Sequence, residues 1–345
     1  LKKTMKPMIL VLIITVFVII MIPAMLVLPF SKNDTTGELS EQTEQTDGKE
    51  GKKVDSSKNE SIEISVYRSS EKKIQKLPLE TYLSGVVAAE MPAEFEKEAL
   101  KAQALAARTY IVSQLLSEKK IGLPEGADVG DTELHQVYKN DSELKELWGS
   151  TYTEKMNKIK KAVKETEGQI LTYDGQPIEA SFFSTSNGYT ENSEDYWKAA
   201  RPYLKSVSSP WDKSSPKFQT KVAVTVSEFE NKLGVNVPEG SQIGTITKRT
   251  SGNRVGIVDI GGVKLTGKQI REKLSLTSSD FSWERQGDRI IILTKGFGHG
   301  VGMSQYGANG MAKEGKNYKD IVKYYYQGID IQSSGHLLNT LTAKK

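Results

Sequence analysis

Residues 8–28 read MILVLIITVFVIIMIPAMLVL, and no other stretch restricts the chain's options as much. About 20 apolar residues in a helix cross the ~30 Å hydrocarbon core of a bilayer. Lys2, Lys3 and Lys6 precede the run, whereas Asp34, Glu38, Glu41 and Glu44 follow it. The lysine excess predicts a cytoplasmic N-terminus and an extracytoplasmic body. A cleaved signal peptide would have a shorter apolar region and a small-x-small site. Ala24 has no small residue two positions away, so an uncleaved single-pass anchor is expected within 1–30, with Pro23 at most kinking it. Residues 31–60 have almost no large apolar side chain and predict a disordered tether.

The working body is therefore expected at 61–335, an α+β fold of mixed helices and strands. With no cysteine in 345 residues, it must stand on its own core. The net charge of +4 is small and dispersed, which argues against nucleic acid as a partner. Ile62, Ile64 and Val66 alternate with polar residues and predict a strand, with 74–77 as its hairpin partner. Pro78 opens a helix that must stop before Pro92. A second, alanine-rich helix is expected over about 93–118, with Ala99, Ala102, Gln103, Ala106 and Tyr110 on one face. A further helix is expected over 153–166. ILTYDGQPIEASFF predicts a hairpin turning at Asp174-Gly175. Residues 211–290 differ in texture and predict an α+β subdomain, with capping boxes at Ser227–Glu230 and Thr266–Gln269.

The chemistry narrows by elimination. The alternating Gly296, Gly298, Gly300 and Gly302 fit neither the dinucleotide nor the phosphate-loop pattern. They suit close backbone approach, with His299, Gln305 and Tyr306 as a cleft wall or, for His299, a structural tie. Three histidines without cysteine give no metal-ligand spacing. The serine-nucleophile signature is absent, although Ser184 and Ser186 lie in a polar loop. Glu90 stands out, because it ends a helix, where the dipole disfavours an anion, among Val86, Val87, Ala88, Ala89 and Met91. Both surroundings raise a carboxyl pKa and suit a general acid. Arg108, on the next helix, is within reach of the same cleft.

Three landmarks stand in order: VVAAEMPAEFEKEALKAQALAARTY, SFFSTSNGYTENSEDYW followed by PYLKSV, and GFGHGVGMSQYGANGMA. Together they resemble the stage II sporulation protein D family, from about Ile62 to Ile331. The resemblance implies a lytic transglycosylase that cuts the MurNAc–GlcNAc β-1,4 bond of peptidoglycan and leaves 1,6-anhydro-MurNAc ends, without a cofactor. It gives Glu90 the acid/base role and sets Arg108, Tyr203 and Lys205 along the cleft. Ser184, Ser186, Asn187, His299, Gln305 and Tyr306 follow as sugar contacts. It also implies peptide-stripped glycan strands as substrate. The implied setting is sporulation engulfment at the mother cell's septal membrane, beside a cell-wall amidase/endopeptidase and a membrane scaffold protein.

The chain departs from many relatives at Phe183, where they have histidine, at Asn187, where they have glycine, and at His135-Gln136, where some have His-Cys. Metal-linked features of those relatives do not transfer. Asn187 still permits a left-handed turn. Two rival readings share these motifs. One is a non-catalytic glycan-binding activator of an amidase. The other is a water-adding muramidase with Glu191, Asp195 or Asp212 as second carboxylate.

Overall fold

The computed structural model describes residues 62–117, 120–240 and 242–342. The expected anchor and tether lie outside the described residues. Among the described residues, no helix is long and apolar enough to cross a membrane. What is described is a mixed α+β body.

Strand β1 (Glu63–Arg68) turns Ile64, Val66 and Arg68 inward and pairs antiparallel with β2 (Lys73–Pro78). The chain then enters helix α1 (Leu79–Glu90), which ends where Met91 becomes extended at φ −129° and ψ 135° ahead of Pro92. Helix α2 (Lys97–Leu116) begins four residues later than the sequence predicts. Residues 92–96 form a turn instead, closed by Phe95 N–H on the Pro92 carbonyl at 3.0 Å. Ala93 and Phe95 are buried there, so core packing overrides the helical pattern. Almost every residue of α2 from Ala99 to Val112 is buried, which makes it the central helix of the body.

A largely polar stretch follows α2. It adds β3 (Val129–Gly130) parallel to β1 and then helix α3 (Asp141–Trp148). Asn140 and Glu143 cap α3 reciprocally. Arg68 ties the excursion down through Asp131 at 3.0 Å and Glu143 at 2.7 Å. Helix α4 (Tyr152–Glu165) packs on α1 and α2. Strands β4 (Gln169–Tyr173) and β5 (Gln176–Pro177) form the expected hairpin. Asp174 and Gly175 have φ of 49° and 73°, the mirror-image turn that this hairpin requires. Strand β6 (Phe182–Phe183) leads into the serine-rich loop and the short helix α5 (Ser193–Trp197).

A second hydrophobic cluster follows, around Phe229, Val258, Ile260, Ile270, Phe281, Ile290 and Ile292. Its elements are β7 (Gln219–Thr225), α6 (Val226–Leu233), β8 (Thr245–Arg249), β9 (Val255–Ile260) and β10 (Val263–Thr266). Helix α7 (Gly267–Leu274), β11 (Phe281–Gln286) and β12 (Arg289–Lys295) complete it. The sheet orders are β10-β9-β8 and β11-β12-β7. Thr266 and Gln269 form the expected capping box of α7. Helix α6 corrects the other one: Thr225, not Ser227, accepts the Glu228 N–H, while Glu230 accepts the Val237 N–H at 2.7 Å. The chain returns through β13 (Met303–Ser304), parallel to β6, into helix α8 (Gln305–Lys313). Helices α8 and α9 (Tyr318–Tyr325) pack on α2, and β14 (Asp330–Ser333) joins β4.

Candidate active site

Glu90 is the last residue of α1 and is half-buried. Its Oε1 accepts the Val137 N–H at 3.2 Å. Burial pushes the carboxyl up to about 7; the Val137 bond pulls the other way, and the nearby Glu133 carboxylate adds to the rise. A group so poised is half protonated near neutrality, and either half of a proton exchange is open to it.

The backbone at Glu90 is held as firmly as the side chain is perturbed. Gln305 Nε2 donates to the Glu90 carbonyl at 3.0 Å and reaches Gln103 Oε1 at 3.4 Å. This links the end of α1 to α2 and to the first residue of α8. Helix α8 starts there because Ser304 Oγ accepts the Gly307 N–H at 3.3 Å. The glycine run makes the approach possible: at Gly302, φ is 80°, and a Cβ would lie 2.0 Å from the Ser181 carbonyl oxygen. Tyr306 packs edge-on to Phe95 at 4.9 Å, beside the turn that follows Glu90. Behind the acid, Tyr82 donates to Gln136 Oε1 at 3.0 Å. Glu90, Gln103, Gln305 and Tyr306 are thus brought together, with Val137 and Glu133 from the excursion after α2.

Arg108 is a correction. It is fully buried, with its Nε and one terminal nitrogen on Glu80 at 3.1 and 2.7 Å. The remaining N–H groups go to the carbonyls of Val163 and Thr166 at 3.1 and 2.8 Å. Arg108 therefore clamps α1 to the C-terminal end of α4 and spends its donors inside the protein. Ser186 is a second correction. It is buried, and both its N–H and its hydroxyl go to Asp212, at 2.9 and 2.8 Å.

Asn187 is a third: its amide donates to Gly252 O at 3.0 Å and Asp280 at 2.9 Å. The left-handed turn beside it belongs to Gly188, at φ 110°. His299 takes the structural form of its two readings. Its Nδ1 accepts the Val301 N–H at 3.1 Å, and Phe183, Tyr196 and Trp197 surround the ring. Burial and the charges of Arg271 and Arg254 push its pKa down to about 3, so it stays neutral.

The other expected residues lie on separate loops. Ser184 is half-buried, and its carbonyl accepts the Tyr306 N–H at 3.1 Å. Tyr203 is nearly buried, its hydroxyl accepting the Glu179 N–H at 3.1 Å. Lys205 pairs with Glu194 at 2.5 Å. Of the carboxylates weighed as a second catalytic group, two are locked inside. Asp212 accepts from Ser186, Ser209 and Ser304. Glu191 faces Arg254 at 3.8 Å and accepts from Thr250 and Gly252. Asp195 lies at the surface, accepting the Ser251 N–H at 3.3 Å. Val137 and Glu133 have no signal in the sequence, because their stretch has no periodicity to place them; Gln136 is marked there only as the position where some relatives have cysteine.

Residues 67–173, which include Glu90, Gln103 and Val137, match the family model described as Stage II sporulation protein. Over 329 residues the chain is 53% identical to stage II sporulation protein D of Bacillus subtilis (strain 168), covering 95% of this chain and 96% of that protein. The chain belongs to the stage II sporulation protein D family. The family's representative in Bacillus amyloliquefaciens is 51% identical over 344 residues, 99% of this chain and 100% of its own length. A more distant relative, named amidase enhancer, from Bacillus subtilis (strain 168), is 28% identical over 308 residues. That match covers 73% of this chain and 40% of the relative. Membership makes this a sporulation protein related to the cell wall.

Proposed function

We propose that this protein is a membrane-anchored lytic transglycosylase. In this reading it cleaves the MurNAc–GlcNAc β-1,4 bond of peptide-stripped peptidoglycan strands during engulfment. The observation that carries the reading is the half-buried Glu90 carboxyl, raised to about 7, at the junction of α1, α2 and α8. Neutral Glu90 gives its proton to the glycosidic oxygen as the C1–O bond breaks. The carboxylate so formed takes the proton of the same sugar's 6-hydroxyl, whose oxygen closes on C1. The proton lost in the first half is recovered in the second, and no water is added. One carboxyl serves both halves, whereas hydrolysis uses two at set separations. The burial of Asp212 and Glu191 within networks of their own supports this choice.

The anchor at 1–30 would hold the body outside the cytoplasm, at the membrane that engulfs the forespore. A cell-wall amidase/endopeptidase and a membrane scaffold protein are the proposed partners. The similarity to a protein named amidase enhancer favours a second reading, a glycan-binding activator without turnover. Mass spectrometry of peptide-stripped glycan treated with wild type and Glu90→Gln decides between them. Anhydro ends from wild type alone support the transglycosylase. Anhydro ends from both proteins remove Glu90 from the chemistry, and none from either favours the activator. New reducing ends would indicate water addition.

A further inference from the structure

A cavity of about 500 Å³ opens between the C-terminal half of α2, the β4–β5 hairpin and residues 200–203. Its α2 wall is formed by Tyr110, Ser113 and Gln114. Their i, i+3, i+4 spacing brings them to one helix face. All three are half-buried, and none of their side chains is hydrogen-bonded among the described residues. Burial holds the Tyr110 phenol up at about 12, which keeps it a donor.

The opposite wall is aromatic and rigid. Tyr173 and Tyr203 stand 5.5 Å apart at 48°. Tyr203 is fixed at both ends, its hydroxyl by the Glu179 N–H at 3.1 Å and its carbonyl by the Gln327 N–H at 3.0 Å. Arg201 and Glu179 close the rim as an ion pair at 2.8 Å.

A pyranose ring has an apolar C–H face and a belt of hydroxyls. Aromatic walls complement the first, and unspent polar side chains the second. A wholly apolar ligand would leave Tyr110, Ser113 and Gln114 unpaired, and a simple anion would meet an arginine already neutralised by Glu179. The cavity also lies on the helix that passes Glu90. At ~1.5 Å per residue, Tyr110 and Gln114 stand ~10 and ~16 Å along α2 from Gln103, which meets Gln305 beside the acid. A few sugar units of an extended strand cover that distance.

We propose that this cavity is a distal saccharide subsite, binding the glycan strand a few sugars from the bond held at Glu90. The inference rests on the glycan-cleaving reading above, and its test separates the two. The full-length chain carrying Glu90→Gln, so that the strand is not cut, is purified in detergent and titrated calorimetrically with peptide-stripped glycan oligomers of increasing length. Affinity of this parent should rise once the oligomer reaches the cavity, and the cavity variants are made in the same background. The double variant Ser113→Ala, Gln114→Ala should lose about tenfold on long oligomers and nothing on short ones. Tyr110→Phe, which removes a single hydroxyl, should lose less in the same direction. Unchanged affinity for long oligomers would overturn the subsite, as would equal loss at every length. Binding is read without turnover. Absence of anhydro product would count against the proposed reaction while leaving this measurement to decide the subsite.

Discussion

Replacing Glu90 by glutamine should make the protein more stable in alkaline buffer while removing its acid. Folding carries this carboxyl from an ordinary 4.5 to about 7. At about 1.4 kcal/mol per pH unit, the whole displacement corresponds to about 3 kcal/mol. Water reaches part of the side chain, so about 2 kcal/mol is the figure to expect. The fold prefers the neutral form, hence its contribution is complete below about pH 4.5 and lost as pH rises through about 7. Glutamine is neutral throughout, and its amide oxygen can still accept the Val137 N–H. Its advantage over wild type should grow by about 2 kcal/mol between pH 5 and pH 8.5. For a body of this size that is an increase of about 4–8 °C in relative Tm. Urea unfolding of both proteins at both pH values measures it, and other titrating groups cancel in the comparison. A difference that stays flat with pH, or that runs in the opposite direction, would refute a raised Glu90.

Glu133→Gln removes a charge that helps hold the Glu90 proton, and the alkaline limb of glycan cleavage should move to lower pH; an unmoved limb would detach Glu133 from the site. Arg108→Ala strands Glu80 and two carbonyls and should cost about 3–5 kcal/mol, with Arg108→Lys in between. A thermal melt checks this, and an unchanged Tm with lost activity would mean that Arg108 meets substrate after all. Asp212→Asn sets an amide against the Ser186, Ser209 and Ser304 donors and should cost about 1–3 kcal/mol. Faster proteolysis of the serine-rich loop would report it. Thr266→Ala should cost about 1 kcal/mol in urea unfolding through its lost cap on α7.

The placement of Glu90 at a half-buried helix end was legible because its cues are local: an apolar run, a helix end and a proline two residues on. Its partners were not. Val137 and Glu133 come from a stretch whose fold is set by Arg68 from β1, and no periodicity announces such a tie. Arg108 misled for a related reason. A helix buried on nearly every side has no polar face from which to infer where an arginine points. In TVSEFE, both Thr225 and Ser227 have glutamate three residues on, so the pattern alone could not choose. The end of β7 at Thr225 decided it. The strands and hairpins were readable from alternation and turn chemistry. The networks of Ser186, Asn187 and His299 depend on residues far away in sequence, which a linear pattern does not record.

Strands β7 and β12 meet residue for residue, Gln219 opposite Lys295. The chain thus leaves for the second hydrophobic cluster and comes back through a single pair of hydrogen-bonded neighbours. To the remainder of the body, everything between them is one closed loop, however elaborate its interior. Closure entropy grows only with the logarithm of loop length, each doubling costing about 0.6 kcal/mol. Mutation and selection can therefore enlarge, trim or re-sculpt this segment at little thermodynamic cost to the scaffold that holds Glu90. Contacts such as Asn187 to Asp280 and Glu191 to Arg254 are then what limit how far such drift can go.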